Sequence, residues 1–187
     1  DEHPFKVILD YGHNPAAIAA MSDLADRLDV KGRRLVVAAM PGDRRDQDIC
    51  DAAAALAGHF DHYFIKPDDD RRGRGPMEVP DMLKAELIRN GVDPAQISLM
   101  PDEVTAIDTA LAAADLGDLL VVFADELARS WKQIIYFKKS DREAVAPTPV
   151  KPDKPVVGFE DMLAGGDQLI RDERGVRLAR GGGEEAD

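Results

Sequence analysis

VILDYGHNPAAIAAM, residues 7–21, is the stretch that decides the fold. An apolar run stops at Asp10, a turn of hydrogen-bonding residues follows, and Pro15 opens an alanine-rich segment. Residues 5–10 read as a buried strand. Residues 15–28 read as a helix with Ile18, Met21, Leu24, Ala25 and Leu28 on one face. Asn14 suits the N-cap and Pro15 the first helical position, so strand passes to helix through one short turn.

The same unit recurs along the chain. Strands are expected at 34–40, 62–66, 97–100 and 119–124, each followed by a helix, at 46–58, 79–90, 103–115 and 126–137. The strands are short and apolar with little alternation, as strands buried on both faces are. The pattern predicts an α/β, Rossmann-like, doubly wound fold: a mainly parallel sheet of about five to six strands with helices on both faces. The expected boundaries are a domain over 1–139 and, over 140–187, a Pro-rich linker and acidic tail. Within the tail, 159–163 could form one helical turn, and 168–180 alternates around Glu173-Arg174-Gly175 as a short hairpin would.

Composition narrows the function. The 187 residues carry a formal charge of -12, which argues against a broad nucleic-acid surface. No apolar run nears the roughly 18 residues of a membrane span, and no signal peptide is visible, so a cytoplasmic protein is expected. The lone Cys50 reads as a small buried helix residue. The first residue is Asp1 rather than Met, which suggests a piece of something longer.

In such a sheet the turns that follow parallel strands share one rim, and ligands bind there. Three of these turns are dense with charge: DYGHNP (10–15), PGDRRDQD (41–48) and KPDDDRRGRG (66–75). In the first, the start of a helix favours an anion. Gly12 lets the backbone pass close to a ligand. His13 and Asn14 can donate to phosphate or carboxylate oxygens, and Asp10 can accept from hydroxyls such as a ribose diol. A capped helix with a solvated turn accounts for the same residues. In the second, Arg44 and Arg45 stand among Asp43, Asp46 and Asp48, as a local ion-pair cluster or as a clamp on an anion. In the third, Asp68, Asp69 and Asp70 adjoin Arg71, Arg72 and Arg74, as a solvated loop or as a site for a zwitterion. No GxxxxGK[ST], no GxGxxG after a strand and no nucleophile elbow occurs, and no residues group as metal ligands.

DYGHNP after a strand resembles the signature that opens the C-terminal domain of Mur ligases. Within that superfamily, PGDRRDQDI followed by the acidic DxRGR-type loop is most similar to cyanophycin synthetases, over roughly residues 4–137. The resemblance implies part of an ATP-dependent enzyme that makes amide bonds: a carboxylate is phosphorylated, and an incoming amine displaces the phosphate. It implies a nucleotide-facing turn of Asp10, Tyr11, Gly12, His13 and Asn14, with His13 and Asn14 facing the phosphates at the catalytic centre. It implies an amino-acid site drawn from Asp43, Arg44, Arg45, Asp68, Asp69, Asp70, Arg72 and Arg74. Were the amino acid arginine, the aspartates would hold its guanidinium and Arg72 or Arg74 its carboxylate. ATP and Mg2+ would belong to the full-length enzyme, whose central P-loop domain is the expected partner. This chain alone is expected neither to retain them nor to turn over ATP. Self-association stays open. So does a second reading, a non-catalytic Rossmann-like binding or scaffold module.

Overall fold

The structure, a computed structural model, describes residues 3–138, 168–172 and 175–179. The linker and the helical turn expected at 159–163 lie outside those residues, as do Glu173 and Arg174.

Five strands form one parallel sheet: β1 (Lys6–Asp10), β2 (Arg34–Ala38), β3 (His62–Ile65), β4 (Ile97–Leu99) and β5 (Leu119–Phe123). Their spatial order is β1-β5-β2-β3-β4. Each is followed by a helix: α1 (Pro15–Arg27), α2 (Asp46–Leu56), α3 (Glu78–Arg89), α4 (Glu103–Ala113) and α5 (Leu127–Tyr136). A 3₁₀ turn at Pro94–Gln96, unforeseen in the sequence, leads into β4 under an Asp93 cap. Gln168–Asp172 (β6) and Gly175–Ala179 (β7) pair antiparallel as a separate two-stranded sheet.

The alternation of side chains along each strand builds two cores. Val36 and Ala38 of β2 join Val121 and Phe123 of β5 in a core closed by Ile18, Ile49, Leu56 and Leu83 from α1, α2 and α3. Leu35 and Val37, with Leu120 and Val122, face the other way onto Ile107, Leu111 and Ile134 of α4 and α5. Strands apolar on both faces therefore need helices on both faces. Each fully buried Leu or Ile contributes roughly 1.5–3 kcal/mol of transfer free energy. The largest buried ring, Tyr63, has its hydroxyl satisfied by the Leu56 carbonyl at 3.2 Å and the Gly58 N–H at 3.0 Å.

The chain steps from β1 across to β4 with its helices on one face, then returns through α4 to place β5 between β1 and β2. The helix leaving β5 thus lies on the face opposite to those leaving its neighbours. That reversal is a switch point at the carboxyl ends of β1, β5 and β2, the place where open α/β sheets take their ligands.

Candidate functional site

The first turn is built mostly from its own residues. Asn14 caps α1 by accepting from the Ala17 N–H at 2.9 Å. Pro15 has no N–H, and Ile18 already donates to the Asn14 carbonyl. Ala16 is thus the one N–H of the first turn that neither helix nor cap takes up. One Asp10 carboxylate oxygen accepts from the Gly12 N–H at 2.6 Å. A Cβ at Gly12 would crowd that oxygen and the Phe123 ring, so close packing, besides ligand approach, explains this glycine. His13 Nδ1 lies 2.9 Å from the Tyr11 carbonyl. A carbonyl only accepts, so Nδ1 carries the hydrogen. Nε2 can then donate to an anion only when the ring is protonated. Tyr11 meets His13 edge-on at 5.1 Å and is 54% exposed. An anion fits this turn through the Ala16 N–H, the Asn14 carboxamide N–H and a protonated His13.

The second and third turns form one unit. Arg74 donates to the Gly42 carbonyl (2.8 Å), the Arg44 carbonyl (2.8 Å), Asp46 (2.7 Å) and Glu78 (2.9 Å). Its guanidinium clamps the loop to the start of α2 rather than standing free for a ligand. A Cβ at Gly42 would overlap the Arg71 carbonyl oxygen, so backbone lies directly on backbone there. Arg72 pairs with Asp43 and holds its carboxyl below the usual range. Arg72 sits at φ 49 and Gly73 at φ 91, both left-handed. Asp68 and Asp70 cap the loop's own N–H groups, accepting from Asp70 at 2.8 Å and Arg72 at 3.2 Å. Arg45 pairs locally with Asp48 at 2.7 Å. Arg44 makes no ion pair among the described residues. Beside these groups a shallow surface crevice is lined by Met40, Asp68, Arg71 and Pro76.

Sequence reasoning missed a third feature of the rim. Lys66 follows β3 and is fully buried. Its Nζ lies 2.9 Å from Glu103 and 2.6 Å from Asp125. Glu103, also fully buried, accepts from Arg129 (2.6 Å), Ser130 (2.8 Å) and the Asp125 N–H (2.6 Å). Burial alone would push the Glu103 carboxyl up. The Lys66 charge, the Asp125 N–H and Arg129 overcome that and hold it at about 2. Burial raises Asp125, which receives less help. Arg129 also holds Asp69 at 2.5 Å, so this member of the acidic triplet is already paired. A visible signal existed: a lysine at a strand end facing two acid-bearing turns, PDE (101–103) and ADE (124–126), on the same rim.

The three charged turns therefore share the rim. The first abuts the end of β5 through the Ala124 N–H to Asp10 carbonyl bond at 2.9 Å. The β5 turn holds the third through Asp125 and Asp69, and the third grips the second. No group of three His, Cys, Asp or Glu side chains that could hold a metal occurs among the described residues. No helix there is long and apolar enough to cross a membrane.

The chain is similar to known proteins. The family model described as Mur ligase, glutamate ligase domain matches residues 1–125. A cyanophycin synthetase of Geminocystis herdmanii is 36% identical over 134 residues, covering 72% of this chain and 15% of that protein. This chain thus spans a small part of that relative. A UDP-N-acetylmuramoyl-L-alanyl-D-glutamate–2,6-diaminopimelate ligase superposes with a TM-score of 0.53 at 20% identity, over 65% of this chain and 24% of that one. E. coli FolC in complex with DHPP and ADP superposes with a TM-score of 0.50 at 25% identity, over 69% of this chain and 27% of that one.

Proposed function

We propose, because this chain belongs to the family of the Mur ligase glutamate ligase domain, that it is the C-terminal domain of an ATP-dependent ligase of the cyanophycin synthetase kind. In this reading it closes over a P-loop domain of the same full-length protein, in the cytoplasm, and helps to bind the incoming amino acid. ATP, with Mg2+ held by that other domain, supplies the phosphoryl group that activates a carboxylate. This chain's own residues bind and orient. The Ala16 N–H, Asn14 and protonated His13 take phosphate oxygens at the start of α1. The second Asp10 oxygen is open to a ribose hydroxyl, and the exposed Tyr11 ring lies against the nucleotide.

The amino-acid site lies where the 41–48 and 66–75 turns meet. Arg74 and Asp69 serve as its frame, because their polar atoms already hold the loop. Contact with the substrate then falls to Asp43, Arg44, Arg45, Asp68, Asp70 and Arg72. Arginine suits the mixed charge: carboxylates for its guanidinium and an arginine for its carboxylate.

The observation that carries this reading is the shared rim, with an anion-ready helix start at one side of the β5 turn and a mixed-charge crevice at the other. The test is a screen of amino acids for ADP release by the full-length protein. One amino acid, arginine first, should stimulate release, and His13→Ala should lower it while leaving the melting temperature unchanged. No stimulation by any amino acid would favour the scaffold reading.

A further inference from the structure

Asp125 Oδ2 meets two groups at once: the buried Lys66 ammonium, as an ion pair at 2.6 Å, and the backbone N–H of Asp69, which donates to it at 2.8 Å. Lys66 therefore fixes a carboxylate that in turn fixes the first turn of the charged loop. Glu103 bridges the same group from below, since its Oε2 contacts Lys66 and the Asp125 N–H while its Oε1 contacts Arg129 and Ser130. Arg129 then closes the circuit on the Asp69 carboxylate. The circuit joins the turns after β3, β4 and β5 and ends on the loop that carries Asp70 and Arg72.

A fully buried lysine is costly, and apolar residues of similar volume usually stabilise a core as well or better. The hydrophobic core does not need Lys66, whose role must be sought in what it orients. We infer that Lys66, acting through Asp125, is a positioning residue that sets the register of the 68–75 loop for the incoming amino acid, with no part in holding the nucleotide. This rests on the ligase reading above, and it predicts a separation of effects: damage to the circuit loosens one substrate site and spares the other.

The experiment uses Asp125→Ala, which removes the shared oxygen and leaves Lys66 paired with Glu103, and Asp125→Asn, which retains one oxygen able to accept from the Asp69 N–H and to face the Lys66 ammonium. Amide hydrogen exchange is measured in this chain, and Michaelis constants in the full-length protein. In Asp125→Ala the amides of 69–72 should exchange about tenfold faster while those of Val36, Val37 and Val121 do not change. The amino-acid KM should rise about tenfold with the ATP KM within about twofold. Asp125→Asn should restore both. Loop exchange like the wild type, a parallel rise of both KM values, or no rescue by Asn would each overturn the inference. Should Asp125→Ala fail to fold, Arg129→Gln, at a partly exposed position, must give the same signature. A wild-type protein without amino-acid-dependent ADP release would sink the ligase reading, and the exchange result would then decide this inference alone.

Discussion

At the rim where the strands begin, Asp118 has no exposed side-chain surface and accepts from the Arg33 N–H (2.6 Å), the Arg33 guanidinium (2.8 Å) and the Asp115 N–H (2.9 Å). Arg34 nearby donates to the Ala25 carbonyl at 3.0 Å, and its own N–H reaches Asp61 at 2.7 Å. At the rim where the strands end, ion pairs such as Arg72–Asp43 and Arg45–Asp48 stay partly exposed, and the Tyr11 ring stands out into solvent. The first rim uses charge to tie backbone ends together. The second has a buried anchor, Lys66 with Glu103, and a surface of charges that a ligand can reach. Both rims are rich in Asp and Arg, so burial and backbone partners, rather than residue type, separate structural charge from available charge.

The contrast can be broken by substitution, beginning with the largest effect. Asp118→Ala removes the acceptor shared by the Arg33 and Asp115 N–H groups and should cost about 3–5 kcal/mol in urea unfolding, with the proposed amino-acid-dependent ADP release of the full-length protein unchanged per folded molecule. The acid limb of stability comes next. The Glu103 carboxyl is held at about 2 in the folded protein and returns to the ordinary glutamate value of 4.5 when unfolded. Its contribution is complete above the unfolded value and is lost as pH falls toward the folded one, up to about 3 kcal/mol. Asp125, raised by burial, opposes part of that loss. Denaturation midpoints between those two pH values should therefore fall with pH in the wild type and fall less steeply in Glu103→Gln. Asn14→Ala removes the α1 cap and should cost about 1 kcal/mol, readable as a lower melting temperature. Asp43→Ala should leave the melting temperature where it was yet raise the KM of the amino-acid substrate proposed above, since its partner Arg72 is exposed. A large loss of stability there would erase the distinction between the rims.

Local signals carried much of the fold into the sequence. Each βα unit is written in an apolar run, a turn and a periodic helix, and the Asn14-Pro15 start of α1 stands as expected. Strand order was not written there, because the insertion of β5 between β1 and β2 depends on which apolar strands pair across the sheet. The shared rim was legible for a geometric reason: parallel strands send all their carboxyl ends one way. The roles of single residues were less so. Arg72 and Arg74 look alike in the sequence, and only folding gives Arg74 two carbonyls and two carboxylates. Lys66 stands in the sequence only as the end of an expected strand, since its partners come from turns after β4 and β5. Arg129 and Asp69 stand 60 positions apart.

Gly42 carries a practical lesson for anyone wishing to redesign substrate choice. With no room for a methyl group between it and the Arg71 carbonyl, the two turns are interlocked like a key cut for one ward. Grafting the 66–75 loop alone from a relative would bring in a backbone cut for a different seat. A swap has to transplant residues 41–48 along with it, as a matched cassette.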